Sequence, residues 1–299
     1  MKIGVLFGGN SAERKVSLSS GNAISVACEE LGHDVLNLDL QNDIKSLIPD
    51  LLSVDLVFNG LHGGDGENGV IPGFLQSLGV KFTGSGTESS AICMDKRVSK
   101  ALVHDKEIMT PNWISLSMEE AVPVKHELGY PVVVKPNSQG STIGLTIVQN
   151  QSELSDAVAL ARQYDSVVLM ESFIAGREFT ISIIGDKTYP IVEVVPSHDL
   201  YDYECKYTKG MTDYLCPAEL PEELTQSIQA SALTIHNLLG CCHYSRVDFR
   251  LDKNNIAWFL EVNTLPGMTA TSLVPKAAAA AGLSFPELIQ TIINEALKN

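Results

Sequence analysis

Positive charge is what this sequence has least of. Its 299 residues carry 21 Lys and Arg against 36 Asp and Glu, a formal net charge of −15 at neutral pH. Nucleic acids and anionic membranes need a basic face, so neither is an expected partner. The six cysteines, at 28, 93, 205, 216, 241 and 242, form no C-x-x-C, and the adjacent pair has poor disulfide geometry. Reduced thiols are expected, and with them a cytoplasmic protein. No stretch reaches the ~20 apolar residues of a membrane span, and the apolar run from Ile3 to Phe7 has a strand's length rather than a signal peptide's. Two nucleotide fingerprints are also missing. No G-x-x-x-x-G-K-[ST] occurs, and GGNSAE at 8–13 lacks the third glycine of G-x-G-x-x-G. Internal repeats are absent, and the one low-complexity tract is the alanine run 277–281, inside an expected helix.

What is present has the composition of a globular protein, 44% hydrophobic and 19% charged, with length for two or three domains that each bury a core. KIGVLFGG reads as a buried strand ending in a glycine turn. A helix then closes at Gly32, HDVLNLD is a second strand, 43–53 a helix and DLVFNG a third strand. This βαβαβ rhythm predicts a parallel sheet that binds ligands at its strand C-termini. Glu13 and His62 stand at two such ends. Glu13 either accepts from a substrate ammonium or is a first-turn acid of the helix; His62 either orients Glu13 or a substrate, or bonds loop backbone. A composition break near Asp95 marks a domain boundary, with Lys96 opening the next helix.

A helix is expected over 117–129. PVVVKPNSQGSTIGLTIV, at 131–148, reads as strand, Gly/Ser loop and strand, with Lys135 on the strand leading in. Backbone N–H groups of such a loop, with the hydroxyls of Ser141 and Thr142, can cradle phosphates; a flexible hairpin tip is the alternative. After a helix over 151–164 come the strands SVVLMESF, FTISIIGD and TYPIVEVV. VVLMESFI can present backbone groups to a planar ring edge, with Glu171 and Glu178 either bonding an amine and ribose hydroxyls or simply solvated. Residues 197–216 lack periodicity, carry four tyrosines and read as a functional lid. Helices at 222–239, 271–282 and 284–298 complete the chain.

SRVDF (245–249) and FLEVNTLPGMTATS (259–272) carry the strongest chemical signal. If DKNN (252–255) is a four-residue turn, Val247, Phe249 and Leu251 share one face with Ile256, Trp258, Leu260 and Val262. Arg246, Asp248, Glu261 and Asn263 then share the other. Two carboxylates at roughly 4 Å repel by about 4 kcal/mol at an effective dielectric near 20. Hard oxygen donors of this kind suit Mg²⁺ or Mn²⁺ held together with phosphates; a solvated charged face is the alternative. The Gly/Pro loop that follows favours the first reading, since such loops offer N–H groups to an oxyanion.

Taken together, GGNSAERKVSLSSG, LHGGDGENG, TGSG, MDKRVSK, VVKPNSQGSTIG, DYECKY, SRVDF and EVNTLPGMTATSLVP closely resemble, in order and nearly end to end, the D-alanine–D-alanine ligases of the ATP-grasp superfamily. The resemblance implies an α/β protein of ATP-grasp fold. An N-terminal Rossmann-like parallel-sheet domain (1–95) would precede two α+β ATP-grasp domains (96–180 and 181–299). It also implies a homodimer, with ATP and D-alanine as substrates. ATP would phosphorylate one D-alanine, and the amine of a second would attack the acyl phosphate, giving dipeptide, ADP and phosphate for peptidoglycan precursors.

Residue by residue, the resemblance implies that Asp248, Glu261 and Asn263 hold two Mg²⁺ (or Mn²⁺) ions. Lys96, Lys135 and Lys206 would add positive charge at the phosphates, with Ser141 and Thr142 in the phosphate loop. Glu171 and Glu178 would bind adenine and ribose, with the Ile174 backbone at the ring edge. Glu13, helped by His62, would take the first substrate's ammonium. Arg246 and the Gly267 N–H would stabilise developing negative charge. Ser272 and the Leu273 backbone would hold the second carboxylate, and Ser141 and Tyr207 would link the lid to Glu13.

Three positions depart from the commoner pattern: Ser172 for a lysine, Asn68 for an aspartate, and Leu265 for a small residue. The last is expected to alter packing near the metals most. A ligase using D-lactate is the nearest rival, and Tyr207 speaks against it because depsipeptide-forming relatives tend to carry phenylalanine there. Another ATP-grasp carboxylate–amine ligase and a non-catalytic nucleotide-binding regulator are the remaining alternatives.

Overall fold

The computed structural model describes residues 1–41, 43–196 and 211–298. Strand β1 (Lys2–Gly8) is buried along nearly its whole length, between β2 (Asp34–Leu40) and β3 (Leu56–Asn59), all parallel. An unbroken apolar run demands such cover on both faces. Helix α1 (Arg14–Glu30) packs on β1 so closely that a Cβ on its Gly21 would lie 2.3 Å from the Phe7 ring. It closes at Gly32, φ +80°, where the His33 N–H returns to the Cys28 carbonyl. The helix expected over 43–53 is divided, a 3₁₀ turn at Ile44–Leu47 running into the single turn α2 (Ile48–Leu51). Helices α3 (Val70–Ser77), α4 (Thr87–Met94) and α5 (Lys96–Asp105) follow. Asp95 separates the last two and caps α5, its carboxylate accepting from the Val98 N–H at 3.0 Å.

The second sheet is antiparallel, in the order β4 (Trp113–Ser117), β7 (Val167–Ser172), β5 (Val132–Pro136), β6 (Thr146–Val148), and is covered by α6 (Gln151–Ala161). The hairpin around the Gly/Ser loop is therefore formed as expected, β5 pairing directly with β6. The helix expected over 117–129 is not: β4 extends to Ser117, and bends and turns follow. Pro123 cannot donate within a helix at that point, and the Ser117 N–H goes instead to Glu120 Oε2 at 2.6 Å.

A third, antiparallel sheet contains β8 (Arg177–Ile184), β9 (Lys187–Thr188), β10 (Val192–Pro196), β11 (Thr212–Leu215), β12 (Tyr244–Leu251) and β13 (Ala257–Asn263). Its order is β11-β10-β8-β12-β13, with β9 beside β8. Helix α7 (Glu222–Leu238) covers one face, and α8 (Leu273–Ala280) and α9 (Phe285–Leu297) end the chain. Strand β11 lies within the stretch expected to be an aperiodic lid; the rest of that expectation, 197–210, lies outside the described residues. One core joins the two ends of the chain: Ile3, Val5, Phe7 and Ile24 pack with Leu265, Met268, Val274, Ala277, Leu288 and Ile292. The loop after β13 is thereby fixed against the first domain.

The β12–β13 hairpin corrects the expected parity. Its turn spans five residues, 252–256, because Leu251 pairs with Ala257. An odd turn puts like parities opposite each other, so Phe249 faces Phe259 and Arg250 faces Trp258. A bulge at Leu260 then shifts the register by one, and Asp248 pairs with Glu261 and Arg246 with Asn263. Ile256, Trp258 and Leu260 are therefore not core residues as expected; Phe259, fully buried, takes that place. The polar half of the expectation stands, since turn and bulge cancel.

Candidate active site

Two cavities meet between these sheets. The first lies between β5 and β7 on one side and β8, β12 and β13 on the other, with about 1060 Å³ of space including its open mouth. Lys135 on β5 and Glu171 on β7 form part of its wall. Glu171 is wholly buried, with Lys135 Nζ 2.9 Å from Oε2 and Lys100 Nζ 3.1 Å from Oε1. Burial alone pushes the Glu171 carboxyl up, but the two lysines outweigh it and hold it below the ordinary carboxylate range. Burial also brings the Lys100 ammonium down to about 8, against the pull of Glu171. At the ring edge expected for adenine, the Ile174 carbonyl accepts from Arg250 Nη1 at 3.3 Å and Glu178 lies 3.2 Å from Arg250 Nη2. Ser172 turns its hydroxyl to the Leu128 carbonyl.

On the opposite wall, Arg246 grips Asp248 with two bonds of 2.8 and 2.7 Å, and Asn263 Nδ2 donates to Asp248 Oδ2 at 3.1 Å. Lys96 Nζ lies 3.2 Å from Glu261 Oε2 and donates to the Gln139 carbonyl at 2.8 Å. Both carboxylates thus already draw a cation. Their direct opposition and oxygen-only donor set fit a hard divalent ion whose remaining ligands come from phosphates.

The second cavity adjoins the first and shares Ser141, Arg246, Glu261 and Leu273 with it. Glu13, at the N-terminus of α1, accepts from Ser141 Oγ at 2.5 Å, which joins the Gly/Ser loop to the first domain. Ser141 and Thr142 both sit at positive φ, +54° and +63°, an unusual pair of non-glycine residues in that region. His62 lines this cavity but its ring bonds Ser20 Oγ at 2.9 Å and the Leu265 carbonyl at 3.0 Å rather than Glu13. Ser20 also accepts from the Met268 N–H at 3.2 Å, so the pair clamps the loop after β13. On that loop a Cβ on Gly267 would sit 2.8 Å from Ser272 Oγ, and Ser272 accepts from the Thr269 N–H at 3.0 Å.

Of the expected site residues, Lys206 and Tyr207 lie outside the described residues, and all the others line one or both cavities. Leu265 is buried in the core shared with Val274 and Met268 and also lines the second cavity, as do Glu261 and Asn263. Asn68 serves its own turn, accepting from the Val70 N–H. Lys100, Ser20 and Arg250 were not anticipated. Lys100 had a legible signal, falling one helical turn after Lys96 in MDKRVSK; the partners of Ser20 and Arg250 come from other elements.

Two antiparallel sheets closing on a cleft of lysines and carboxylates, with a parallel-sheet domain behind the adjoining pocket, define an ATP-grasp enzyme. The structure of D-alanine–D-alanine ligase from Bacillus anthracis superposes with a TM-score of 0.91 at 38% identity, covering 100% of this chain and 98% of that one. A structure of D-alanine–D-alanine ligase from Bacillus anthracis complexed with ATP gives 0.87 at 36% identity, covering 100% and 97%. A curated D-alanine–D-alanine ligase from Halalkalibacterium halodurans is 44% identical across the full length of both chains. Residues 93–294 match the family model described as D-ala D-ala ligase C-terminus. The chain belongs to the D-alanine–D-alanine ligase family.

Proposed function

We propose that the chain joins two D-alanines in an ATP-dependent reaction that passes through an acyl phosphate and releases ADP and phosphate, supplying a peptidoglycan precursor. The observation that carries this reading is the shared wall of the two cavities: Arg246 and Glu261 border both, so the phosphate end of one opens onto the reacting carboxylate of the other.

The first cavity takes ATP, with Glu171, Glu178 and the Ile174 backbone around adenine and ribose. Lys96, Lys135, Lys206, Ser141 and Thr142 meet the phosphates. Asp248, Glu261 and Asn263 hold Mg²⁺ or Mn²⁺, two ions that neutralise phosphate charge when bound. In the second cavity Glu13 receives the first ammonium, while Arg246 faces the charge that develops on the phosphorylated carboxylate. The Gly267 N–H supplies an oxyanion donor, and Ser272 with the Leu273 N–H takes the acceptor carboxylate at the start of α8. His62 acts by holding the loop through Leu265. Tyr207 and Ser141 keep water from the acyl phosphate. A three-domain division at 95 and 180, a homodimer and a cytoplasmic location complete the reading; the five described cysteines, all free thiols, support the last.

Phosphate release measured with D-alanine, L-alanine, D-serine and D-lactate tests it. Turnover with D-alanine is expected. Equal turnover with L-alanine, or product only with D-lactate, overturns the assignment.

A further inference from the structure

We propose that Lys100, which does not line the nucleotide cleft, is a positioning residue: it neutralises Glu171 from behind so that the charge of Lys135 is left for the nucleotide's phosphates. The inference rests on the nucleotide reading of the first cavity.

Lys100 is fully buried, whereas Lys135 borders the cleft. Each takes a different oxygen of Glu171, at 3.1 and 2.9 Å. Two cations on one buried carboxylate leave one surplus positive charge, and the only member of the three cations and anions with an ammonium facing the cleft is Lys135. Lys100 is itself held in place: its Nζ donates to Thr110 Oγ1 at 2.7 Å, and Thr110 donates to the Phe259 carbonyl of β13 at 2.9 Å. The buried ammonium therefore spans the two sheets that form the cleft. Without it, Lys135 is the sole counter-charge of Glu171 among the described residues, and the pair presents no net charge to the phosphates. In a chain of net charge −15, one well-placed cation matters for a polyanionic ligand.

The charged groups around Lys100 come from three neighbouring elements, Glu171 on β7, Lys135 on β5 and Glu261 on β13, and from its own helix, which carries Lys96; the Trp113 ring of β4 lies 5.5 Å away. Burial lowers Lys100 to about 8 in this setting. Loss of its proton above that pH has the same effect on the cleft as removing the side chain.

The test is calorimetric titration of the full-length protein with ADP and with adenosine, both in the presence of Mg²⁺. In Lys100→Met the ADP Kd rises roughly tenfold while the adenosine Kd stays within about twofold, since only the phosphates sense the lost charge. Lys100→Arg keeps most of the ADP affinity. Lys100→Met combined with Glu171→Gln restores the ratio of adenosine to ADP Kd, because Lys135 again carries an uncompensated charge. Should Lys100→Met fail to fold, the wild-type protein gives the same readout: its ADP Kd rises between pH 7 and 9.5 and its adenosine Kd does not, and in Lys100→Arg that rise is absent. Equal weakening of ADP and adenosine, or no weakening of either, overturns the role given to Lys100. Failure of wild-type protein to bind ADP would instead sink the nucleotide reading itself.

Discussion

Asp248 and Glu261 face each other across β12 and β13, and each already holds a cation, Arg246 for the first and Lys96 for the second. The pair is thus held close, each carboxylate beside a cation, as a divalent site requires. Glu261→Gln is expected to lower turnover on the order of 100-fold or more, the scale of losing a metal ligand. Mn²⁺ binding followed by electron paramagnetic resonance, with ADP present, should weaken in parallel. Unchanged Mn²⁺ affinity would remove Glu261 from the metal set.

Ser141 donates to Glu13 across the boundary between the Gly/Ser loop and the first domain. Hydrogen bonds to a charged group contribute about 1.5–3 kcal/mol, so Ser141→Ala is expected to cut kcat/KM for D-alanine by roughly 10- to 150-fold. Adenosine affinity should hold, as measured by calorimetry; a fall in both would mean that the loop as a whole has collapsed.

Gly267 leaves no room for a side chain, since a Cβ would meet Ser272 Oγ at 2.8 Å. Gly267→Ala must displace Ser272 or the loop, at a cost of about 1–3 kcal/mol. The expected result is a higher KM for the acceptor D-alanine and a lower kcat. Wild-type kinetics in this variant would detach the loop from the chemistry.

His62 satisfies both of its ring nitrogens, on Ser20 and on the Leu265 carbonyl. His62→Ala leaves the Leu265 carbonyl buried without this donor and Ser20 with only the Met268 N–H, and is expected to reduce unfolding free energy by about 1–3 kcal/mol in urea titrations. KM for D-alanine should rise with it, because Ser20 and His62 together hold the loop that carries Gly267.

His236 is buried against Ser245 at 2.7 Å, and burial lowers its imidazole to about 4. In the unfolded chain the same ring takes a proton near pH 6.5, so the unfolded state binds more protons between those values. Stability from this group is present above about pH 6.5 and is lost as pH falls towards 4. Between pH 7 and 5 the loss is about 2 kcal/mol, and His236→Gln should flatten that part of a stability-versus-pH curve measured by urea unfolding. A wild-type curve level over this range would contradict the assignment.

Much of this protein is legible in its sequence because the relevant signals are local. The βαβαβ rhythm, the glycine stop at Gly32, the hairpin around 137–145 and the helices from 222 onward each follow from periodicity and breakers within a few residues. The helix expected over 117–129 does not form because a local breaker, Pro123, stands inside it. What sequence alone could not supply was register. Arg246, Asp248, Glu261 and Asn263 share a face only because a five-residue turn and a bulge at Leu260 cancel, and a bulge is decided by how β13 packs on β12 and the core beneath it.

The residue types of the site, their order along the chain and the chemistry they permit were determined by the sequence itself. Tertiary structure alone decided the partnerships. Glu171 could be read as an adenine ligand, but that its carboxylate sits between Lys100 and Lys135 depends on α5, β5 and β7 meeting in space. His62 could be placed at a strand end, but its hold on Leu265, more than two hundred positions away, depends on the first and last segments of the chain sharing one core. Contacts of that kind carry no local signature, because the free energy that selects them is buried surface and paired charge contributed by segments far apart in sequence.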